Sequence, residues 1–189
     1  MSGGMRPAVV EQLGARIRSA RQEQDLSVGA LAELSEVSRR MLTQIELGQA
    51  NPSVALLDRI AAGLGTTFAA LMGVGADAPP EGVEVWSTET GSWAVLLDAV
   101  DAAGASVETW KWKLTGADVY QGAGGGAAAG IMLHVAEGAL EIVVDDEVRA
   151  LEAGASARSE TARPYEYRAR DRQGVVFFSV AIMPRPGVG

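Results

Sequence analysis

The sequence predicts a two-domain α + β protein: five short helices over residues 9–72, then an antiparallel β sandwich or barrel over residues 83–189. Three observations carry this prediction. Apolar residues recur at helical spacing as far as Met72, and from Val83 onward they alternate with polar ones in short runs punctuated by Gly, Asp and Pro. Between the two regimes lies GVGADAPPEG, residues 73–82, a linker whose composition cannot form a core and which Pro79-Pro80 stiffens. Residues 1–8 read as an N-terminal tail. Both halves of the 189-residue chain fall within ordinary domain sizes.

The helices follow in order. Val10, Leu13, Ile17 and Ala20 define a first helix from about residue 8 to 24. Ser27 is a candidate N-cap for a second, with Leu31, Ala32 and Leu34 as its apolar face. A turn through Ser35, Glu36 and Val37 leads to Ser38, which caps a third helix. There Leu42 and Ile45 point inward, and Arg39, Arg40, Thr43 and Gln44 fall on the opposite face. Gly48 closes that helix and Asn51-Pro52-Ser53 opens a fourth, carrying Leu56, Leu57, Ile60 and Ala61 and ending at Gly63 and Gly65. Thr67–Met72 makes a short fifth helix.

Helices two and three meet the requirements of a helix-turn-helix. Ala32 is small where the helices pack closely, Val37 is apolar after the turn, and the first turn of the next helix is polar. The order LAxxxxVSxxxLxxIExGxxNPS resembles the Cro/lambda-repressor-like, or Xre, helix-turn-helix family over roughly residues 9–72. The resemblance implies double-stranded DNA as partner and a third helix that enters the major groove. Its contact residues would be Ser38, Arg39, Arg40, Thr43 and Gln44, with Asn51 and Ser53 beside them. Arg39 and Arg40 suit guanine edges or phosphates, Gln44 suits adenine, and Ser38 and Ser53 at helix N-termini suit phosphates. It also implies a structural ion pair between Arg21 and Glu46 that fixes the reading helix on helix one. Two positions depart from the family. Glu36 stands where glycine is usual, so a positive φ there would cost about 1 kcal/mol. Val28 replaces a glutamine that often contacts phosphate.

Charge constrains how DNA could be held. The formal net charge is −8, yet residues 1–73 balance seven arginines (Arg6, Arg16, Arg18, Arg21, Arg39, Arg40, Arg59) against seven acids (Glu11, Glu23, Asp25, Glu33, Glu36, Glu46, Asp58). Diffuse attraction to phosphate supplies most non-specific affinity, and a neutral head lacks it. Contact must therefore be local, and a homodimer joined through the barrel and spanning two half-sites is expected. There is no cysteine, which excludes disulfides, thiolate metal sites and a cysteine nucleophile. No apolar run is long enough to span a membrane and residues 1–8 lack a signal-peptide core, so a cytoplasmic location is expected.

In the second half the expected strands are Val83–Trp86, Trp93–Asp98, Ser106–Leu114, Ile131–Val135, Ala139–Val144, Glu147–Leu151, Ala155–Arg158, Tyr165–Ala169 and Val175–Met183. Within GALEIVVDDEVRALEAGAS, Gly138 reads as a turn, Asp145-Asp146 as a hairpin and Gly154 as another tight turn. This rhythm resembles the centre of a cupin domain, an antiparallel β jelly roll, over roughly residues 83–185. The metal ligands that the resemblance would imply are missing. The glutamate position falls near Ile131, the first two histidine positions within Gly124–Ala127, and the last at Tyr165. The expectation is therefore no metal, no cofactor, no catalytic residue and no enzyme activity.

The sequence-level reading is a sequence-specific DNA-binding transcriptional regulator whose cupin-like barrel binds a small-molecule effector, dimerises, or both. One alternative is a ligand-independent DNA-binding protein with a purely structural barrel. The other, a cupin metalloenzyme with an accessory helix-turn-helix, would need the missing histidines and glutamate. Candidate effector contacts are Trp110, Trp112, His134, Arg163, Tyr165 and Tyr167. For the tryptophans, plain core packing is the favoured reading. His134, the chain's one histidine, reads as a partly buried strand residue with a satisfied hydrogen bond. The arginines read as a solvated face or as partners of Glu160, Glu166 and Asp171. Gly122–Gly130 reads as a mobile loop at the barrel mouth or as the remnant of a lost metal loop.

Overall fold

The computed structural model describes residues 4–75, 79–102, 104–122, 124, 130–160 and 163–184. The helical head comprises α1 (Pro7–Glu23), α2 (Val28–Leu34), α3 (Arg39–Glu46), α4 (Val54–Gly63) and α5 (Phe68–Met72). Among the described residues the β domain has β1 (Val83–Ser87), β2 (Trp93–Ala102), β3 (Ala105–Leu114), β4 (Val119–Gly122), β5 (Gly130–Val144), β6 (Glu147–Glu152), β7 (Ser156–Glu160), β8 (Tyr165–Ala169) and β9 (Val175–Pro184).

Side-chain oxygens start four of the five helices. Ser27, Ser38, Ser53 and Thr67 accept from the amides of Ala30, Met41, Leu56 and Ala70 at 3.0, 3.1, 3.3 and 3.1 Å. Arg21 locks α1 to the end of α3. Its Nε and Nη2 donate to the two Glu46 carboxylate oxygens at 2.6 and 2.8 Å, and Nη1 donates to the Leu26 carbonyl at 2.8 Å. Gly14 lets the same helices touch through backbone, because a Cβ there would sit 2.3 Å from the Ile45 carbonyl oxygen. Glu36 does adopt φ +53°, and Arg59 on α4 donates to its carbonyl at 3.3 Å. Leu34 departs from the sequence reading. It is 59% exposed rather than part of the inward face of α2.

The strands form a curled antiparallel sheet in the order β1-β2-β3-β9-β5-β8-β4, with β6 and β7 also paired to β5. The first part of β5 pairs with β7 and β9, and its second part with β6 and β8, so this one strand joins both halves of the barrel. Two expected strands, Ile131–Val135 and Ala139–Val144, are thus one. Gly138, expected as a turn, instead bends β5 at φ +76°, just after a register shift between Val135 and Glu137. A Cβ at Gly138 would lie 2.2 Å from the Gly174 carbonyl oxygen, so only glycine fits the bend. The unexpected strand is β4, which pairs with β8.

Head and barrel share one continuous cluster of buried side chains. At its waist Phe68 of α5 stacks on Trp110 of β3, with centroids 6.0 Å apart and planes 11° from parallel. The segment expected as a tail is also built in. Gly4 exchanges backbone hydrogen bonds with Ser87 of β1 at 3.2 and 3.0 Å, Met5 is buried, and Arg6 Nε lies 2.8 Å from Glu84 Oε1. Beside the Phe68–Trp110 stack Glu108 is 3% exposed. One of its oxygens accepts from Trp110 Nε1 at 3.1 Å, and the other has no partner among the described residues. Burial pushes the Glu108 carboxyl up to about 7; the Trp110 hydrogen bond opposes the rise and Asp58 on α4 adds to it.

A carboxyl whose folded pKa lies above its unfolded value costs stability as pH rises between those two values. For Glu108 that window runs from 4.5 to about 7, and the loss is complete above it, on the order of 3 kcal/mol. Glu108→Gln is therefore expected to match wild type in thermal melts near pH 5 and to exceed it near pH 8. Equal melting temperatures at both pH values would contradict this account of the seam. Arg21→Ala strands the Glu46 carboxylate, whose side chain is 6% exposed, and should cost about 3–5 kcal/mol in urea unfolding. The apolar double variant Arg21→Met/Glu46→Leu should recover most of that loss.

Candidate nucleic-acid interface

Helix α3 presents its polar face because its apolar face is fully committed. Leu42 and Ile45 are 0% exposed against α1 and α2, which turns Arg39, Arg40 and Thr43 to solvent and leaves Gln44 at the edge. Among the described residues Arg39 and Arg40 have no ion-pair partner. Thr43 donates its hydroxyl to the Arg39 carbonyl at 2.8 Å and keeps its lone pairs outward. Ser38 sits at the start of the same face, with its hydroxyl accepting from Met41. Ser53 does the same for α4. The expected contact residues therefore lie on two neighbouring helix starts, with one exception. The Asn51 carboxamide is engaged by the N-terminal segment, accepting from Met5 N at 3.3 Å and donating to Met5 O at 3.4 Å. In this arrangement it is not available to a phosphate.

Sequence reasoning passed over Met41 and Leu47, which flank the polar face and are 37% and 54% exposed. The signal was present in the spacing: both fall out of phase with Leu42 and Ile45.

The six candidate effector residues are not brought together. Trp112, Tyr165 and Tyr167 meet inside the barrel, but as packing. Trp112 stacks on Phe177 at 5.7 Å and meets Tyr167 edge-on at 5.8 Å, and Tyr165 lies 4.9 Å from Tyr167. Tyr120 of β4 completes the cluster 4.6 Å from Trp112. Trp112 Nε1 donates to Ser179 at 3.0 Å, Tyr167 and Phe177 are fully buried, and burial holds the phenols of Tyr120, Tyr165 and Tyr167 well above their usual range. Trp110 belongs to the seam with the head. His134 lies on the outer face of β5, between the inward Leu133 and Val135; it is exposed rather than partly buried, and its Nδ1 meets Ser156 Oγ at 2.9 Å. Arg163 pairs with Asp145 on the surface. Arg168 and Arg170 pair with Glu141 and Glu152, at 2.8 and 2.5 Å, rather than with the acids expected from the sequence.

A cupin metal does not fit these residues. Ile131 is a buried core residue and Tyr165 is a neutral phenol within the aromatic cluster. Gly124 carries no donor side chain, and residues 125–127 lie outside the described residues, as does most of the expected Gly122–Gly130 loop. Among the described residues no three His, Cys, Asp or Glu side chains converge. The polar cluster that sequence reading missed is at Asp118. Burial would raise its pKa, but donated hydroxyls from Ser92, Thr90 and Thr88 hold it below the usual carboxylate range. They tie residues 88–92 to the turn before β4. Among the described residues no helix is long and apolar enough to cross a membrane.

Comparison with known proteins agrees with this geometry. Residues 17–71 match the HTH_3 helix-turn-helix family. The chain is 26% identical over 175 residues to the HTH-type transcriptional regulator SutR of Escherichia coli (strain K12), covering 92% of this chain and 96% of that protein. It is 38% identical over 61 residues to the immunity repressor protein of Bacillus phage phi105, covering 32% of this chain and 42% of that one. The fold matches the crystal structure of an HTH_3 family transcriptional regulator from Vibrio cholerae with a TM-score of 0.67 at 22% identity, over 95% of this chain and 99% of that one. Residues 17–71 are a helix-turn-helix domain of the HTH_3 family, followed in this chain by an antiparallel β domain.

Proposed function

We propose that this chain regulates transcription by reading an operator of two half-sites with two copies of α3, the barrels joining the copies. The observation that carries this reading is the capped, solvent-facing first turn of α3 on a scaffold rigidified by Arg21 and Glu46. Arg39 and Arg40 supply the guanine-edge or phosphate contacts, Gln44 and Thr43 reach further along the groove, and Ser38 and Ser53 take phosphates.

The dimer surface we assign is the outer face of β9. A strand with one solvated face alternates apolar and polar residues, whereas β9 is apolar outward as well: Val176, Phe178, Val180 and Ile182. Across the register Val180 lies beside Met132, and Ile182 beside Val107, which pairs with Val100. Val100, Met132 and Ile182 are 59%, 53% and 39% exposed. A second copy is the occupant that suits this patch, because a charge-balanced head has little affinity for a single half-site.

The packing of Trp112, Tyr167 and Phe177 favours a structural role for these rings over an effector held between them. Tyr167 and Phe177 are fully buried against one another and leave no room for a ligand between their two rings.

Duplexes selected from a random pool should contain two half-sites separated by a multiple of about 10–10.5 base pairs. Arg39→Ala or Arg40→Ala should each weaken binding by about 1–3 kcal/mol in fluorescence anisotropy, with relaxed preference at one base pair if the contact is to a guanine. Unchanged affinity for both variants at physiological salt would refute α3 as the reading helix. Met132→Glu/Ile182→Lys should sediment as a monomer with its circular dichroism intact and bind the selected duplex more weakly. A persistent dimer would move the interface elsewhere.

A further inference from the structure

We propose that the cleft between head and barrel is a binding site for an uncharged, ring-containing small molecule, and that this is the effector site. The proposal rests on the regulator reading above and places the effector outside the barrel. The cleft holds about 700 Å3, within the range of small-molecule sites, and domain junctions are where such sites concentrate. One wall is head: Asn51, Pro52, Ser53 and Val54, the approach to α4. The other is barrel: Trp86 of β1 and Tyr120 of β4, edge-to-face at 5.4 Å, with the turn at Ala117. Gly4 and Met5 close one side.

The chemistry of the walls selects the ligand. Among the described lining residues there is no charged side chain, so an ion entering would lose hydration without a counter-charge. The Trp86 and Tyr120 rings suit a ring-containing occupant, and the Gln121 carboxamide, whose Nε2 donates to Glu166 at 3.0 Å, keeps its oxygen for use as an acceptor. The Asp118 network fixes the turn that carries Ala117, so the barrel wall is preformed.

The placement also supplies coupling. A ligand shifts an equilibrium only through unequal affinity for two arrangements, and here its contacts exist only while head and barrel stay docked. Asn51 stands at the junction: its carboxamide holds Met5 in the docked state and is the side chain expected to meet DNA beside Ser53. An occupant that tightens the strap keeps Asn51 from the duplex.

The test uses the full chain with indole, naphthol and quinolone as neutral probes, against naphthoate and tryptamine as charged counterparts. The neutral probes should move the Trp86 indole N–H resonance in proton–nitrogen spectra and leave that of Trp112, which is bonded to Ser179, in place. At about ten times its Kd a neutral probe should raise Tm by about 3–5 °C and weaken binding to the selected duplex at least about threefold. Ala117→Trp, which fills the cleft from an exposed turn, should abolish both responses while still retaining the duplex. A Trp86 resonance that no neutral probe moves, preference for a charged probe, saturation without change in duplex affinity, or an equal response from Ala117→Trp would each overturn the proposal. A wild-type protein that captures no duplex at all would sink the regulator reading instead, and the Trp86 resonance would still decide the cleft.

Discussion

The stack of Phe68 on Trp110 is the constraint on which the rest of the molecule turns. It makes one core of what would otherwise be two. Neither half is large: α5 has five residues, too few to hold a helix without tertiary packing. By laying α5 on β3, the seam sets where α4 begins relative to the barrel and therefore where the reading helix points. The same packing buries Glu108 beside Asp58, a concession to burial that an independent pair of domains would not make.

Local signals made the head legible. Ser27, Ser38 and Ser53 each marked a helix start, because a cap is a short-range hydrogen bond written in three or four residues. Glu36 could be read as a strained turn because its neighbours fixed the geometry. What escaped was long-range. Asn51 could not be assigned to Met5 from the sequence, since the two lie 46 positions apart. Gly14 gave no sign that another backbone would press against it.

In the barrel, strand rhythm was legible and strand connection was not. Gly138 has the composition of a turn and the geometry of a bend; the difference lies in Gly174, which presses against it from the turn just before β9. Strand β4 is four residues long and runs into a glycine-rich stretch, so alternation had no room to show. The aromatic residues were visible as residues but not as a cluster. Trp110 and Trp112 sit two apart on one strand, yet one faces the head and the other the barrel centre. Only the second domain's neighbour distinguishes them. His134 turned outward for a simpler reason: the alternation around Leu133 and Val135 left it no other side.

The pairing of β3 with β9 has a consequence for how the chain comes to be folded. Ala105 lies opposite Pro184, so the middle of the sheet is completed only when the last strand emerges from the ribosome. The head, whose contacts are mostly local, can assemble while the remainder is still being translated, with Phe68 waiting bare for its tryptophan. Until β9 is laid down, the edge of β3 that it covers offers a row of unpaired backbone donors and acceptors to any other strand.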